Sequence, residues 1–198
     1  MMNKHGYFFD LDGTLVNTHA SNLAAYQQAI YDITGISLDQ ERLCLLDREI
    51  RAGRNYCDFI PKVLGKMDTE TLMRISTQKA KIYPHFIDLS TLNHELIDRI
   101  VTWKQDPYAL IVLVTSAKQR NAEAVLVHHG IQDLFDIKIF GDKIVRSKPD
   151  PEIYFDALKR SAIDPHEAIA FEDSPSGITA AKAAGIEVEI ITWAHDDK

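Results

Sequence analysis

The segment YFFDLDGTLVNT, residues 7–18, ends an apolar run at two aspartates, Asp10 and Asp12, which one leucine separates and a glycine follows. Two like charges this close together repel each other, and in a partly dry site they are costly to ionise unless a cation neutralises them. Clustered carboxylate oxygens suit Mg²⁺ better than a transition metal. The spacing therefore predicts a site where a magnesium ion and a phosphoryl group are held together.

Polar side chains also follow three later apolar runs of the chain. In chain order they are Thr115 and Ser116, then Lys148 in the loop after the next run, then Glu172 and Asp173. In an open parallel sheet the ligand crevice lies outside the carboxyl ends of the strands. We therefore expect all of these side chains to converge with Asp10 and Asp12 in one crevice.

The residue types divide the chemistry of phosphoryl transfer among them. A carboxylate can act as a covalent nucleophile at phosphorus, and Asp10 is placed for that task. Asp12 could protonate the leaving oxygen and later take a proton from water. Lys148 offers a positive charge and Thr115 a hydroxyl to the transferring group, and Gly13 lets the backbone approach closely.

These residues have plainer structural interpretations as well. Asp10, Asp12 and Gly13 could form an ordinary turn. Thr115 and Ser116 could cap the following helix, a role that is compatible with phosphate contact. Lys148 could be an exposed loop lysine, as most lysines are. Glu172 and Asp173 could form an ordinary solvated acidic turn.

The elements that must position these residues alternate between short apolar runs and helical patterns, which is typical of a parallel sheet with crossover helices. The predicted strands are Tyr7–Phe9, Ala109–Val114, Ile137–Phe140, Ala168–Phe171 and Ile186–Ile191. The predicted helices include Lys118–His129 before Gly130, Gly177–Ala184 before Gly185, and one with Asp150 as its cap and Pro151 as its first residue. The fold class that follows is α/β, a Rossmann-like, doubly wound parallel sheet.

One region breaks the alternation. Residues 17–89 show helical periodicity and no convincing strand, with Leu23, Tyr26, Ile30 and Ile33 on one stripe. We predict that residues 1–16 and 90–198 form the α/β core and that 17–89 form an inserted helical cap domain. An insertion leaving from the crevice edge would act as a lid.

Composition narrows the function classes. The 198 residues are 45% hydrophobic, and the formal net charge is -7 without a Lys/Arg cluster, which argues against nucleic acid and anionic membranes as partners. The longest apolar run is far below the ~20 residues of a spanning helix. Cys44 and Cys57 have no CxxC spacing, and the first six residues are too short and polar for a signal peptide, so we expect a cytoplasmic protein.

Four segments together resemble the motifs of the haloacid dehalogenase-like hydrolase superfamily, in the branch with a helical cap after the first strand. They are DLDGT (residues 10–14), VTS (114–116), Lys148 in RSKPDP, and FEDSPSG (171–177). The resemblance implies that Asp10 forms an aspartyl-phosphate and that Asp12 is the general acid and base. The phosphate would be held by Thr115, Ser116 and Lys148. Mg²⁺ would be bound by Asp10, the backbone carbonyl of Asp12 and Asp173, with Glu172 in or next to the shell.

The predicted function is that of a Mg²⁺-dependent phosphatase acting on a small phosphorylated metabolite, such as a sugar phosphate or a phosphoglycolate-like compound. The dehalogenases of the superfamily lack an aspartate at the place of Asp12, which argues against dehalogenation.

Two alternatives remain, a phosphomutase of the beta-phosphoglucomutase type and a catalytically inactive binding protein. Such mutases resemble one another in a histidine where this chain has Asn22, and in a Lys-Gly segment that is not matched around Asp47 and Arg48. Both departures favour hydrolysis. A solvated helix face and a substrate contact stay equally open for the cap arginines Arg48, Arg51 and Arg54. A monomer and a homodimer also both stay open.

Overall fold

A computed structural model of the protein describes residues 4–193. By its internal contacts the chain forms two compact units, one of Met1–Asn17 with Leu92–Lys198 and one of Thr18–Thr91. The short strands β2 (Val16–Asn17) and β3 (Thr91–Leu92) lie where the chain passes between the two units. Among the residues described, no helix is both long and apolar enough to cross a bilayer.

The first unit is built on a five-stranded sheet in which every neighbouring pair is parallel. Its long strands are β1 (His5–Phe9), β4 (Ala109–Thr115), β5 (Ile137–Phe140), β6 (Ala168–Glu172) and β7 (Glu187–Ile190), in the order β5-β4-β1-β6-β7. The predicted α/β, Rossmann-like class is confirmed. Because β1 is central, the loop after it lies between the loops that follow β4 and β6.

Apolar runs become strands here because the sheet buries both of its faces. One buried cluster holds Phe8, Val112 and Val114 of the sheet together with Ile153, Tyr154 and Ala157 of a flanking helix. On β1, the next ring, Phe9, stacks on Phe171 of β6 with ring centroids 4.5 Å apart. The central strands are thereby fixed at their carboxyl ends, just before the polar residues.

The bounds of β5 match the prediction, and those of the other four strands differ from it by one or two residues. β1 begins two residues earlier, because His5 pairs with Ala109 in the parallel ladder. β7 begins at Glu187 and ends at Ile190, one residue inside the prediction at each end. Ile186 is buried, but its amide donates to the carbonyl of Ala181 at the end of the preceding helix and so precedes the ladder.

Among the described residues, the sheet unit has the α-helices α5 (His94–Trp103), α6 (Gln119–His128), α7 (Glu152–Ser161) and α8 (Pro175–Ala183). The glycines predicted after α6 and α8 both take positive φ, +66° at Gly130 and +80° at Gly185, a conformation that costs glycine least. α8 starts two residues earlier than predicted, because the Ser174 hydroxyl accepts from the amide of Gly177 and caps it.

The predicted start of α7 is wrong by one residue. Pro151 occupies the N-cap position and the helix begins at Glu152, not at Pro151. The Asp150 carboxylate still accepts from the Glu152 amide at 3.0 Å. Asp150 therefore satisfies a free amide at the helix start, as a cap would, from one position further out.

The second unit is helical. It contains α1 (His19–Thr34), α2 (Gln40–Arg51), α3 (Tyr56–Leu64), α4 (Thr69–Ile82) and a 3₁₀ helix over Tyr83–Leu89. The predicted stripe faces its core: Ile30 is buried, and Leu23, Tyr26 and Ile33 pack against the same cluster. Asp39, Asn55 and Asp68 cap three of these helices through their side chains.

Candidate active site

Lys148 joins the residues at the carboxyl edge of the sheet. Its ammonium group donates to Asp10 Oδ1 at 2.7 Å, to Glu172 Oε1 at 2.6 Å and to the carbonyl of Val114 at 3.0 Å. The Lys148 side chain is only 4% exposed. The plainer interpretation of an exposed loop lysine is therefore wrong, and the lysine brings together the ends of β1, β4 and β6.

Asp10, Glu172 and Asp173 form an acidic cluster around this lysine. Oxygens of the three carboxylates lie within 4.8 Å of one another. The side chain of Glu172 is fully buried and that of Asp10 is 10% exposed. Three carboxylates against one ammonium group leave an excess of negative charge in a dry place, which is unfavourable without a further cation.

The cluster fits a divalent cation by a second observation. Glu172 Oε2 is buried and has no hydrogen-bond partner among the described residues. A buried carboxylate oxygen without a partner is costly, and an all-oxygen set is what Mg²⁺ prefers. The residues present therefore match the predicted metal in both charge and ligand type.

Two glycines make room for this cluster. Gly13 has φ +90°, and a Cβ at this position would overlap the carboxylate of Asp173. A Cβ at Gly177, in the first turn of α8, would overlap the carboxylate of Glu172. Both glycines thus let backbone approach a carboxylate more closely than any other residue type could.

Two contributors were missed by the sequence analysis. Tyr154 of α7 is fully buried and donates its hydroxyl to Glu172 Oε1 at 2.5 Å. Thr14 donates to Asp173 Oδ1 at 3.0 Å. Thr14 lies inside the quoted DLDGT segment and could have been inferred, whereas Tyr154 reads in the sequence as one more residue on the apolar face of a helix.

The charges of the cluster shift one another's pKa values. Burial raises the pKa of Asp10 well above its ordinary value, against the opposing effect of Lys148, and the neighbouring carboxylates raise it further. Burial, followed by repulsion from Glu172, raises the pKa of Asp173 to about 6. Burial alone would lower the pKa of Lys148, but Asp10 and Glu172 outweigh it and raise it. The lysine therefore stays charged, while the carboxylates need a cation to stay ionised.

The other predicted residues lie in the turns beside the cluster. Thr115 ends β4, is buried, and accepts from the amide of Ala117 at 3.0 Å, which is a local turn contact before α6 begins. Lys118 is the N-cap of α6 and makes no side-chain cap hydrogen bond, so the interpretation of Thr115 and Ser116 as helix caps is wrong. Ser116 is exposed, and its carbonyl lies where a side chain at Gly141 would sit. Asp12 lies two residues beyond Asp10 in the turn, and its charge raises the pKa of Asp10.

The cap arginines have different surroundings within the helical unit. Arg54 donates to both oxygens of Glu49, at 3.0 and 2.8 Å. Glu49 is 4% exposed and also binds Lys62 at 2.9 Å. Arg51 donates to Asp47 at 3.1 Å, and Arg48 is exposed on α2. Arg54 therefore neutralises a buried acid, which a purely solvated helix face would not require.

Comparison with known proteins decides the family. The sequence profile described as haloacid dehalogenase-like hydrolase matches residues 7–191. The chain belongs to the haloacid dehalogenase-like hydrolase family. The resemblance seen in the four motifs is thereby confirmed, and the match spans both compact units.

Relatives within this hydrolase family include named phosphatases. The validoxylamine A 7'-phosphate phosphatase of Streptomyces hygroscopicus subsp. limoneus is 32% identical over 190 residues, which cover 95% of this chain and 85% of that protein. The phosphorylated carbohydrates phosphatase of Thermotoga maritima is 28% identical, over 90% of this chain and 81% of that protein. Family and relatives together support the predicted enzyme class, a hydrolase of phosphoric monoesters.

The fold is also shared with mutases. The crystal structure of beta-phosphoglucomutase from Clostridium difficile aligns with a TM-score of 0.76 at 24% identity, over 96% of this chain and 85% of that chain. Identity at this level shows a common fold and leaves the reaction to be argued from the site.

Proposed function

We propose that the protein is a Mg²⁺-dependent phosphatase that hydrolyses a small phosphorylated metabolite through an aspartyl-phosphate. The observation that carries the proposal is the Lys148 ammonium group held between Asp10 and Glu172, at 2.7 and 2.6 Å, beside a third carboxylate. Such a set combines a nucleophile, a cation for the phosphoryl oxygens, and ligands for a metal.

In the first step a carboxylate oxygen of Asp10 attacks phosphorus. The new bond joins Asp10 to the phosphoryl group, the ester bond between phosphorus and the leaving oxygen breaks, and Asp12 gives that oxygen a proton. In the second step Asp12 takes a proton from water, whose oxygen attacks phosphorus, and the bond to Asp10 breaks. Inorganic phosphate leaves and both aspartates return to their starting forms.

Lys148 supports both steps by offering positive charge to the phosphoryl oxygens, and Thr115 and Ser116 are proposed to hold the phosphate with it. Asp10, the backbone carbonyl of Asp12 and Asp173 would hold Mg²⁺. When bound, the ion would neutralise charge on the phosphoryl group. Glu172 Oε1 accepts from both Lys148 and Tyr154, so we propose that this oxygen orients the lysine, while the unpartnered Oε2 lies in or next to the metal shell.

The substrate class rests on the relatives. By their names, one of these relatives acts on validoxylamine A 7'-phosphate and the other on phosphorylated carbohydrates. We therefore propose a sugar phosphate as the substrate class and keep the predicted phosphoglycolate-like compound beside it. The helical insertion is proposed as the cap that selects it, with Arg48 and Arg51 as candidate anion contacts. Arg54 is not included in this set, because it forms an ion pair with the buried Glu49.

The first test is release of inorganic phosphate from a generic aryl phosphate with and without Mg²⁺. We expect release by the parent with Mg²⁺, and loss of release in Asp10→Asn. Asp156→Asn, which changes a partly exposed carboxylate of α7 that pairs with Arg160 at 3.8 Å, is the matched control and should stay active. Release that survives in Asp10→Asn would refute the proposed nucleophile.

A second assay separates the hydrolase from the mutase and finds the substrate. With beta-glucose 1-phosphate we expect free phosphate, whereas glucose 6-phosphate as the product would establish the mutase. A panel of phosphorylated metabolites should then rank the substrates. No turnover of any compound in the panel would favour the binding protein instead.

A further inference from the structure

The chain just after β7 reaches back to the catalytic loop. The amide of Ile191 donates to the backbone carbonyl of Glu172 at 2.8 Å. Two residues later, Trp193 is half-buried and its indole N–H donates to the carbonyl of Gly13 at 2.6 Å. This hydrogen bond joins residues 180 positions apart in the sequence.

The loop that receives this hydrogen bond is folded tightly on itself. The carbonyl of Leu11 accepts from the amides of Leu15 at 3.1 Å and Val16 at 3.0 Å, and the amide of Gly13 donates to the carbonyl of Val16 at 2.8 Å. Asn93 also donates to the loop, from its side chain to the carbonyl of Thr14 at 3.2 Å and from its amide to the carbonyl of Leu15 at 2.9 Å. The Gly13 carbonyl takes its donor from Trp193.

Gly13 and its neighbour Thr14 in turn fix a proposed metal ligand. The α-carbon of Gly13 lies against the Asp173 carboxylate, and Thr14 donates to Asp173 Oδ1 at 3.0 Å. A shift of the loop would therefore move both of the groups that hold Asp173. Groups that orient a metal ligand commonly change metal affinity when they are removed.

The geometry points to Trp193 as a positioning residue for the reaction, which fixes the Gly13 loop and through it Asp173. The inference rests on the proposed function, because it assigns Asp173 to the metal. It adds that the segment after β7 supports the active site, and that the fluorescence of the Trp193 indole changes when Mg²⁺ binds.

Trp193→Phe tests this directly, because phenylalanine keeps a ring and loses the N–H donor. Trp193 contacts Gly13 and not Asp173 itself, so its effect on the metal ligand is indirect. We expect the Mg²⁺ dissociation constant from calorimetry to rise about threefold to tenfold, which corresponds to the loss of one hydrogen bond. Trp103→Phe is the matched control. Trp103 stacks on Tyr7 at 4.3 Å, and this variant should bind Mg²⁺ within about twofold of the parent.

Calorimetry needs no turnover, so it separates the two proposals. If the parent hydrolyses no substrate, the proposed phosphatase activity is refuted. The Mg²⁺ affinities of the parent and of Trp193→Phe would still decide the role of Trp193. An active parent together with an unchanged Mg²⁺ affinity in Trp193→Phe would overturn the positioning role alone.

A second measurement covers the case in which Trp193→Phe does not fold. The chain has two tryptophans, so Trp103→Phe leaves Trp193 as the only indole emitter. We expect its fluorescence to change on Mg²⁺ titration, with the same midpoint as the calorimetric curve. Constant emission through a titration that calorimetry shows to be saturating would also overturn the inference.

Discussion

Replacing Lys148 by methionine should strongly destabilise the sheet unit. The change removes the ammonium group between Asp10 and Glu172 and keeps a side chain of similar reach. The two ion pairs are 2.7 and 2.6 Å long, and the three side chains are 4%, 10% and 0% exposed. Removing one partner of a buried pair leaves uncompensated charge and costs about 3–5 kcal/mol. Here two carboxylates lose the same cation, so the upper part of that range is expected.

Urea unfolding followed by tryptophan fluorescence measures this loss in the correct unit, because Trp103 and Trp193 both belong to the sheet unit. With a slope of about 2–3 kcal/mol per molar urea, a loss of about 3–5 kcal/mol lowers the midpoint by about 1–2.5 M. Lys159→Met, on the exposed side of α7, is the control and should stay within about 0.5 kcal/mol of the parent.

The loss should also depend on pH. Burial raises the pKa of Asp10, and Lys148 opposes that rise, so without the lysine the pKa of Asp10 rises further. A carboxyl group whose pKa is raised in the folded state contributes stability at low pH that is lost as the pH rises through the folded pKa. The loss of unfolding free energy in Lys148→Met should therefore be smaller near about pH 5 than near about pH 8. A Lys148→Met midpoint equal to that of Lys159→Met near about pH 8 would refute the account of a buried, neutralising lysine.

Three further predictions concern the groups around the cluster. Tyr154→Phe removes the hydroxyl that Glu172 accepts at 2.5 Å and should cost about 1–3 kcal/mol in urea unfolding. Tyr31→Phe, at a half-exposed ring, should cost almost nothing, and equal losses would contradict the assigned hydrogen bond. Thr14→Val should weaken Mg²⁺ binding about 10–100-fold in calorimetry, as loss of a group that orients a ligand does. Thr102→Val, at an exposed helix hydroxyl, should bind Mg²⁺ like the parent. Because the pKa of Asp173 is raised to about 6, the metal-free protein should lose stability relative to Asp173→Asn as the pH rises from about 4 through about 6. Mg²⁺ should raise the melting temperature of the parent more above that pH than below it, and a pH-independent Mg²⁺ effect would count against Asp173 as a ligand.

The convergence of the acidic residues and the lysine could be predicted from the sequence because it follows from topology. Lys148 and Asp10 are 138 positions apart, but parallel strands present their carboxyl ends at one edge. The apolar runs located the strands, and the residues that follow each run then had to meet. The same rule cannot give side-chain directions, so it could not predict that Glu172 Oε1 lies between Lys148 and Tyr154.

The groups that support the cluster could not be predicted, because no local pattern marks them. Tyr154 occupies a helical position that any large apolar residue could fill, and only the packing of α7 against β4 and β5 turns its hydroxyl toward Glu172. Trp193 lies beyond the last strand, where nothing in the sequence connects it with Gly13. The start of α7 was predicted one residue too early. Asp150 can accept from the Glu152 amide whether it is the N-cap residue itself or the residue before the N-cap.

The central claim is that Asp10 carries the phosphoryl group during turnover. Quenching the reaction in acid at steady state and digesting the protein for peptide mass spectrometry tests this most directly. We predict the added mass of one phosphoryl group on the peptide that contains Asp10, dependent on Mg²⁺ and absent from Asp10→Asn. Phosphate release that continues with no phosphoryl group on Asp10, or with the group on another residue, would contradict the account.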